Sequence, residues 1–201
     1  MSRPMGVILA GGLATRMGGG DKCLRNVGGR SILSLVIERL APQVDKIALN
    51  ANGDPQRFVD WGLTTVPDSI GDFAGPLAGI LAGLDWAATE GGSEIITVAA
   101  DTPFFPDDLA ERLKSGAEAS GTAIALAATP DGTRLVRHPT FGLWPTALRD
   151  DLREALRGGV RKVVQWSDRH GAATVPFSAE PQDPFFNINT PDDLVRAETM
   201  L

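Results

Sequence analysis

Arg16 and Lys22 stand among five glycines in the stretch Gly11-Gly12-Leu13-Ala14-Thr15-Arg16-Met17-Gly18-Gly19-Gly20-Asp21-Lys22. Glycines let backbone N–H groups turn toward one point and let a ligand approach the main chain closely. With two cations beside them, such a loop suits an anion of many oxygens, and a polyphosphate is the common one. Two familiar phosphate loops are excluded by spelling. A Walker A loop needs Gly-Lys-Ser/Thr, whereas Lys22 here lies between Asp21 and Cys23. A dinucleotide fingerprint begins at Gly18 and Gly20 but meets Cys23 where its third glycine belongs.

Further polar residues follow apolar runs. Asp101 comes directly after Ile95 to Ala100. A carboxylate at a strand end beside a phosphate loop is a natural ligand for Mg²⁺ bridging phosphate oxygens, although Asp before Thr-Pro is also good turn chemistry. Asn50 and Asp68 end two other runs, where they can reach a ribose or a base or simply make turns. Gly75-Pro76-Leu77-Ala78-Gly79 opens a helix against which a planar base can lie; a tight turn would use the same residues. Asn187 and Asn189, two apart on extended chain, direct their amides the same way beside a helix start. Arg161 and Lys162, after Gly158-Gly159, are candidates for an acceptor's phosphate, while Arg134 and Arg169 read as a solvated face. His138, before Pro139, reads as structural first and as a catalytic base second.

The elements that must position these groups alternate strand and helix, the rhythm of a mainly parallel sheet covered on both faces. Strands are expected at Met5–Ala10, 44–49, 63–66, 94–100, 122–128 and 172–177, with an extended His138–Trp144 interrupted by Pro139. Helices are expected from Ile32 to Leu40, from Leu77 to Ala88, from Pro106 to about Glu118, and from Thr146 to Leu156. A short one follows around Val160 to Ser167. The small residues Ala78, Gly79, Ala82 and Gly83 share a face suited to close packing on a sheet. Thr129-Pro130-Asp131-Gly132 reads as a turn, and Thr190-Pro191-Asp192-Asp193 as a capped helix start.

At 201 residues and 43% hydrophobic, the chain is expected to form one domain with a full core. Its formal charge of −6 gives no basic field for nucleic acid, so a polyanion must be held by local cations and a metal. The single cysteine, Cys23, excludes an intrachain disulfide and a cysteine-rich zinc site. No apolar run is long enough to cross a bilayer and no secretory leader is visible, so a cytoplasmic location and no membrane partner are expected. GxSxG, HExxH and CxxC do not occur, which leaves hydrolase and zinc readings without support.

The opening L-A-G-G-x-x-x-R-M-G-G-G-D-K resembles the signature of molybdenum cofactor guanylyltransferases, the MobA group of nucleotidyltransferases. Asn50-Ala51-Asn52, Asp68-Ser69, Gly75-Pro76-Leu77-Ala78-Gly79, Ala100-Asp101-Thr102-Pro103, His138-Pro139-Thr140 and Asn187-Ile188-Asn189-Thr190-Pro191 resemble its later motifs in the same order. Cys23 departs from the small residue usual after the lysine. The resemblance implies a single Rossmann-like α/β domain over 1–201, a three-layer α/β/α fold like that of nucleotide-diphospho-sugar transferases. Residues 1–105 would bind GTP, and 106–201 molybdopterin or its molybdenum-loaded form. It implies Arg16, Lys22 and Asp101 as catalytic and Asp101 as the Mg²⁺ ligand. GTP would lie against Leu9, Ala10, Gly11, Gly12, Lys22, Asn50, Asp68, Gly75 and Asp101, and the acceptor against His138, Arg161, Lys162, Asn187 and Asn189. The implied activity is GMP transfer from GTP with release of pyrophosphate. Partners would be other cofactor-biosynthesis proteins or chaperones of apo-molybdoenzymes. A cytidylyltransferase using CTP shares the opening loop, and a non-catalytic delivery module remains the more distant alternative.

Overall fold

The computed structural model describes residues 3–11, 21–71 and 75–201. The first apolar run forms β1 (Met5–Leu9), an inner strand of a seven-stranded sheet. A small hairpin, β2 (Asn26–Val27) and β3 (Arg30–Ser31), leads into α1 (Ile32–Leu40). Then come β4 (Ile47–Asn50), β5 (Thr64–Val66), α2 (Pro76–Thr89), β6 (Glu94–Ala99) and α3 (Leu109–Ser120). The rest of the chain adds β7 (Ala125–Asp131), β8 (Arg134–Pro145), α4 (Arg149–Arg157), α5 (Val163–Ser167), β9 (Ala173–Pro176) and α6 (Pro191–Glu198).

The order across the sheet is β5-β4-β1-β6-β8-β7-β9. Only β8 among the described strands runs against the others, so the sheet is mainly parallel as expected. Alternation along the strands sorts side chains onto two buried faces. Ile8, Leu49, Ile96, Val98 and Ala125 join α1 and α3 on one face. Val7, Ala48, Ile95, Leu126 and Trp144 join α2, α4 and α5 on the other. This is a three-layer α/β/α arrangement. The small face of α2 does bring it close to the sheet: a β-carbon at Gly83 would lie 2.7 Å from Val7 Cγ2.

Several expected boundaries move. The strand expected from residue 44 begins only at Ile47, and the helix expected from Pro106 begins at Leu109. The turn expected at Thr129-Pro130-Asp131-Gly132 is mostly strand. Thr129, Pro130 and Asp131 pair with Val136, Leu135 and Arg134, and the chain reverses only at Gly132, whose φ is +59°. Beyond Ala128, β7 has no partner from β9, and a strand with one free edge tolerates proline. Pro139 does not interrupt β8. The pairing with β7 shifts between Leu126 and Ala128, and this irregularity falls opposite 138–141. The capped start of the last helix is present: Thr190 Oγ1 accepts from Asp193 N, and the Asp193 carboxylate accepts from Thr190 N.

Candidate active site

Four strands stop at one level. Leu9 pairs with Asn50 on one side and with Ala99 on the other, and Asn50 pairs with Val66. Backbone bonds carry the sheet one residue further, from Ala10 N to Asn50 O, Ala51 N to Val66 O and Ala100 N to Leu9 O. Ligands of open α/β sheets sit beyond the carboxyl ends of strands, where the strand order reverses. Here it reverses at β1, since β4 and β5 lie to one side and β6 to the other. A cleft of about 780 Å³ opens at that point, lined among others by Leu9, Asn50, Asp68, Gly75, Asp101 and Asn187.

One end of the cleft is an amide–carboxylate cluster. Asn50 is buried, and its Nδ2 donates to Val66 O at 3.2 Å and to Asp68 Oδ1 at 3.0 Å. Asn52 Nδ2 donates to Asp68 Oδ2 at 2.8 Å, and Asp68 N donates to Asn52 Oδ1 at 2.9 Å. Each carboxylate oxygen of Asp68 thus already accepts one bond, which fixes the plane of the group. Gly79 permits this packing, because a β-carbon there would lie 2.2 Å from Asn50 Oδ1.

At the other end Lys22 Nζ lies 2.5 Å from Asp101 Oδ2 and donates to Asn189 Oδ1 at 2.6 Å. Asp101 also accepts from Thr102 Oγ1 at 3.1 Å, and its carbonyl accepts from Ile188 N at 3.0 Å. The Asn187 amide abuts both Thr102 and Asp101; with its NH₂ turned that way it donates to Thr102 Oγ1 and to the Asp101 carboxylate. Asn189 is held in turn by the cap of α6, since its N–H donates to Asp193 Oδ2 at 2.9 Å. Cys23, next to Lys22, is a buried thiol whose pKa burial pushes up to about 12, with the Asp21 charge adding to the effect. It stays protonated at neutral pH and is no nucleophile.

The remaining sequence candidates fall as follows. Gly11 and Gly75 line the cleft, and Ala10 lies beside Lys22 and Cys23. Gly12 and Arg16 lie outside the described residues. Asn187 and Asn189 meet the Lys22–Asp101 pair rather than a separate region of the second half. His138 Nε2 lies 2.8 Å from Thr129 Oγ1, and its ring stacks on Phe185 at 4.3 Å between centroids. Burial lowers its pKa, with Asp183 opposing. Arg161 donates to the carbonyls of Leu156 and Val160 at the end of α4, and Lys162 stands exposed before α5. Neither is among the described residues lining the cleft. Sequence reasoning missed Thr140, in the cleft wall opposite the β7 irregularity, and Arg57, which carries no signal along the chain.

Among the described residues no three His, Cys, Asp or Glu side chains converge on a point. An all-protein cage is therefore absent from that part of the chain. One carboxylate, Asp101, on the wall of the cleft fits Mg²⁺, which keeps waters and takes substrate phosphate oxygens as ligands. No described helix is long and apolar enough to cross a membrane.

The family described as "MobA-like NTP transferase domain" matches residues 6–173. The chain is 54% identical to the molybdenum cofactor guanylyltransferase of Bradyrhizobium sp. (strain ORS 278) over 198 residues, 97% of this chain and 92% of that one. It is 50% identical to the protein of the same name from Nitrobacter hamburgensis, across 97% and 93%. Among solved structures, molybdopterin-guanine dinucleotide biosynthesis protein A of Archaeoglobus fulgidus shares the fold at a TM-score of 0.75 and 24% identity, covering 98% of this chain and 97% of its own. A CMP:2-keto-3-deoxy-manno-octonic acid synthetase complexed with CTP shares the fold at 0.72 and 14%, over 99% and 98%. With four strand ends converging on one cleft and this likeness running through nearly its whole length, the chain belongs to the MobA-like nucleotidyltransferases, in the molybdenum cofactor guanylyltransferase family.

Proposed function

We propose that the chain transfers GMP from GTP to the terminal phosphate of molybdopterin, or of its molybdenum-loaded form, and releases pyrophosphate. The observation that carries this reading is the common level of Leu9, Asn50, Val66 and Ala99. It puts the Asn50–Asn52–Asp68 cluster and the Lys22–Asp101 pair at two ends of one cleft. The first suits the donor-rich edge of guanine, because it presents carboxylate oxygens with lone pairs to spare. The second suits phosphates.

Lys22 and Asp101 neutralise each other in the structure. In the reaction their roles would separate: Asp101 would hold Mg²⁺, and Lys22 would turn its ammonium to the phosphate oxygens. Asn189 stays with Lys22, and Asn187 steadies the Asp101 carboxylate. Mg²⁺, when bound, supplies charge neutralisation for the triphosphate. Arg16 and the glycine N–H groups meet the departing pyrophosphate. An oxygen of the acceptor phosphate attacks the α-phosphorus as the bond to the β-phosphate breaks. That oxygen needs no base, since a phosphate monoester with a second pKa of about 6 is mostly a dianion at neutral pH. The enzyme's contribution is positioning and charge stabilisation. His138, Arg161 and Lys162 are assigned to the acceptor's side of the site.

The test is pyrophosphate release with Mg²⁺, molybdopterin and either GTP or CTP. Rapid release with GTP, at least tenfold above CTP, is expected. Equal rates would overturn the base assignment, and no release with either would overturn the activity.

A further inference from the structure

Arg57 is a surface arginine whose side chain, 34% exposed, is held by several fixed partners. Its Nη1 donates to both carboxylate oxygens of Asp21, at 2.8 and 2.7 Å. Its Nη2 donates to Asn52 O at 2.5 Å and its Nε to Asp54 O at 2.9 Å. The guanidinium also lies over the Phe58 ring, 4.9 Å from its centroid. The chain from Asn52 to Arg57 is shaped for this. Gly53 takes a φ of +85°, and Asp54 caps the turn by accepting from Gln56 N at 2.9 Å. A planar fork of donors is thereby set into a loop before it meets Asp21.

Asp21 directly precedes Lys22, and the Asp21 side chain is only 11% exposed. Asn52, whose carbonyl holds Arg57, uses its side chain to hold Asp68. A continuous run of contacts therefore rims the cleft, from Asp68 through Asn52, Arg57 and Asp21 to Lys22 and Asp101. Arg57 is not among the described residues that line the cleft, and four of its five N–H donors are engaged by Asp21 and by its own loop.

We infer that Arg57 is a positioning residue: by clamping Asp21 it fixes where Lys22 enters the cleft, and it ties the phosphate end to the loop that carries the base end. This rests on the phosphate role proposed above for Lys22. The two partners make the inference separable from a plain charge effect. If Arg57 acted as a cation attracting the triphosphate, Arg57→Met would slow transfer and Asp21→Asn, which removes a nearby negative charge, would speed it. A clamp requires both substitutions to slow it alike.

The experiment measures guanylyl transfer and GTP binding for Arg57→Met, Asp21→Asn, the double variant and Lys22→Ala, with melting curves for each. Misplacing a catalytic group by about 1 Å costs up to about 10²-fold. Each single variant is expected to lose about tenfold or more in kcat, with the GTP KM changed less than about threefold. The double variant should lose no more than about twofold beyond either single, because one clamp is broken only once. Arg57→Lys should restore part of the rate. Losses that multiply in the double variant, a faster Asp21→Asn, or unchanged kcat in both singles while Lys22→Ala is inactive would each overturn the inference and leave the Lys22 role standing. An active Lys22→Ala would instead overturn that role. Should Arg57→Met melt below the assay temperature, Asp21→Asn decides alone, since it keeps the side-chain volume and only the charge of the clamp is lost.

Discussion

Placing a methyl on Gly79 strikes the base end of the cleft from behind. The new β-carbon would lie 2.2 Å from Asn50 Oδ1, 3.0 Å from Asn50 Cγ and 3.0 Å from Leu9 Cδ2. Asn50 is 4% exposed and cannot swing into solvent, so its amide must shift within the cleft wall. Its bonds to Val66 O and Asp68 Oδ1 then weaken or break. Overpacking costs about 1–3 kcal/mol and each lost bond about 1 kcal/mol, whereas alanine returns about 1 kcal/mol of helix propensity. The net expectation is a loss of about 1–3 kcal/mol of stability. GTP affinity should fall about tenfold, which is about 1.4 kcal/mol, because Asp68 keeps only Asn52 as its holder. Gly83→Ala is the matched control. Its β-carbon would meet Val7 Cγ2 at 2.7 Å and Ile95 Cδ1 at 3.1 Å, an apolar contact on the same helix, one turn from the site. It should cost similar stability yet leave GTP affinity within about twofold. Urea unfolding and calorimetric titration with GTP and Mg²⁺ measure both quantities. Equal losses of affinity in the two variants, or normal affinity in Gly79→Ala, would refute the argument that Gly79 exists to seat Asn50.

Asp101→Asn should keep the fold and lose about 10²-fold or more in kcat, since it removes the carboxylate assigned to Mg²⁺; rates across a Mg²⁺ series and a melting curve check it. Burial lowers the His138 pKa, so the unfolded chain takes up that proton first as the pH drops below about 6.5. The stability this neutral imidazole contributes is full above that pH and declines as the pH falls toward the folded-state pKa; His138→Gln should flatten that limb in urea midpoints taken between about pH 7.5 and 5.5. Thr190→Ala removes the bond from Asp193 N and should cost about 1 kcal/mol in chemical denaturation. Because the same cap holds Asn189, it should also slow transfer a few-fold, a change that stopped-flow turnover would detect.

The sequence pattern made the strands and their chemistry-bearing ends legible for one physical reason. Strands buried on both faces must be apolar, so Asn50, Asp68 and Asp101 stand out as the amide and carboxylate groups at or just past the strand ends, Asn50 itself being buried. What it did not disclose is which ends touch. Lys22 meets Asp101 and Asn189, 167 residues away from it in the case of Asn189, and Arg57 reaches back 36 residues to Asp21. The Lys22–Asp101 contact depends on β6 adding beside β1 on the side away from β4, and the Arg57–Asp21 contact on β4 lying beside β1; neighbouring strands cannot be read from a linear pattern. The prolines misled in the other direction. Pro130 and Pro139 are local breakers, but the first stands on a stretch of free edge in β7 and the second at an irregularity in the pairing of β8, so both strands run through them.

The same geometry answers how a chain of formal charge −6 can hold a nucleoside triphosphate. At physiological salt the field of distant surface carboxylates is screened over about 8 Å, so the balance is struck among groups within the cleft. There the acidic residues are already engaged: Asp68 by two amides, Asp101 by Lys22, and Asp21 by Arg57. Of these, only the Asp101–Lys22 pair lines a cavity with both partners, beside Ala10 and Cys23. It is therefore the pair with room to exchange partners in the reaction proposed above. Asp21–Arg57 is locked into its loop by three further acceptor and ring contacts and has no such freedom. One ion pair is thus placed to exchange partners and the neighbouring one to hold still, and the rate of transfer should respond to loss of either while GTP binding responds chiefly to the Asn50–Asp68 end.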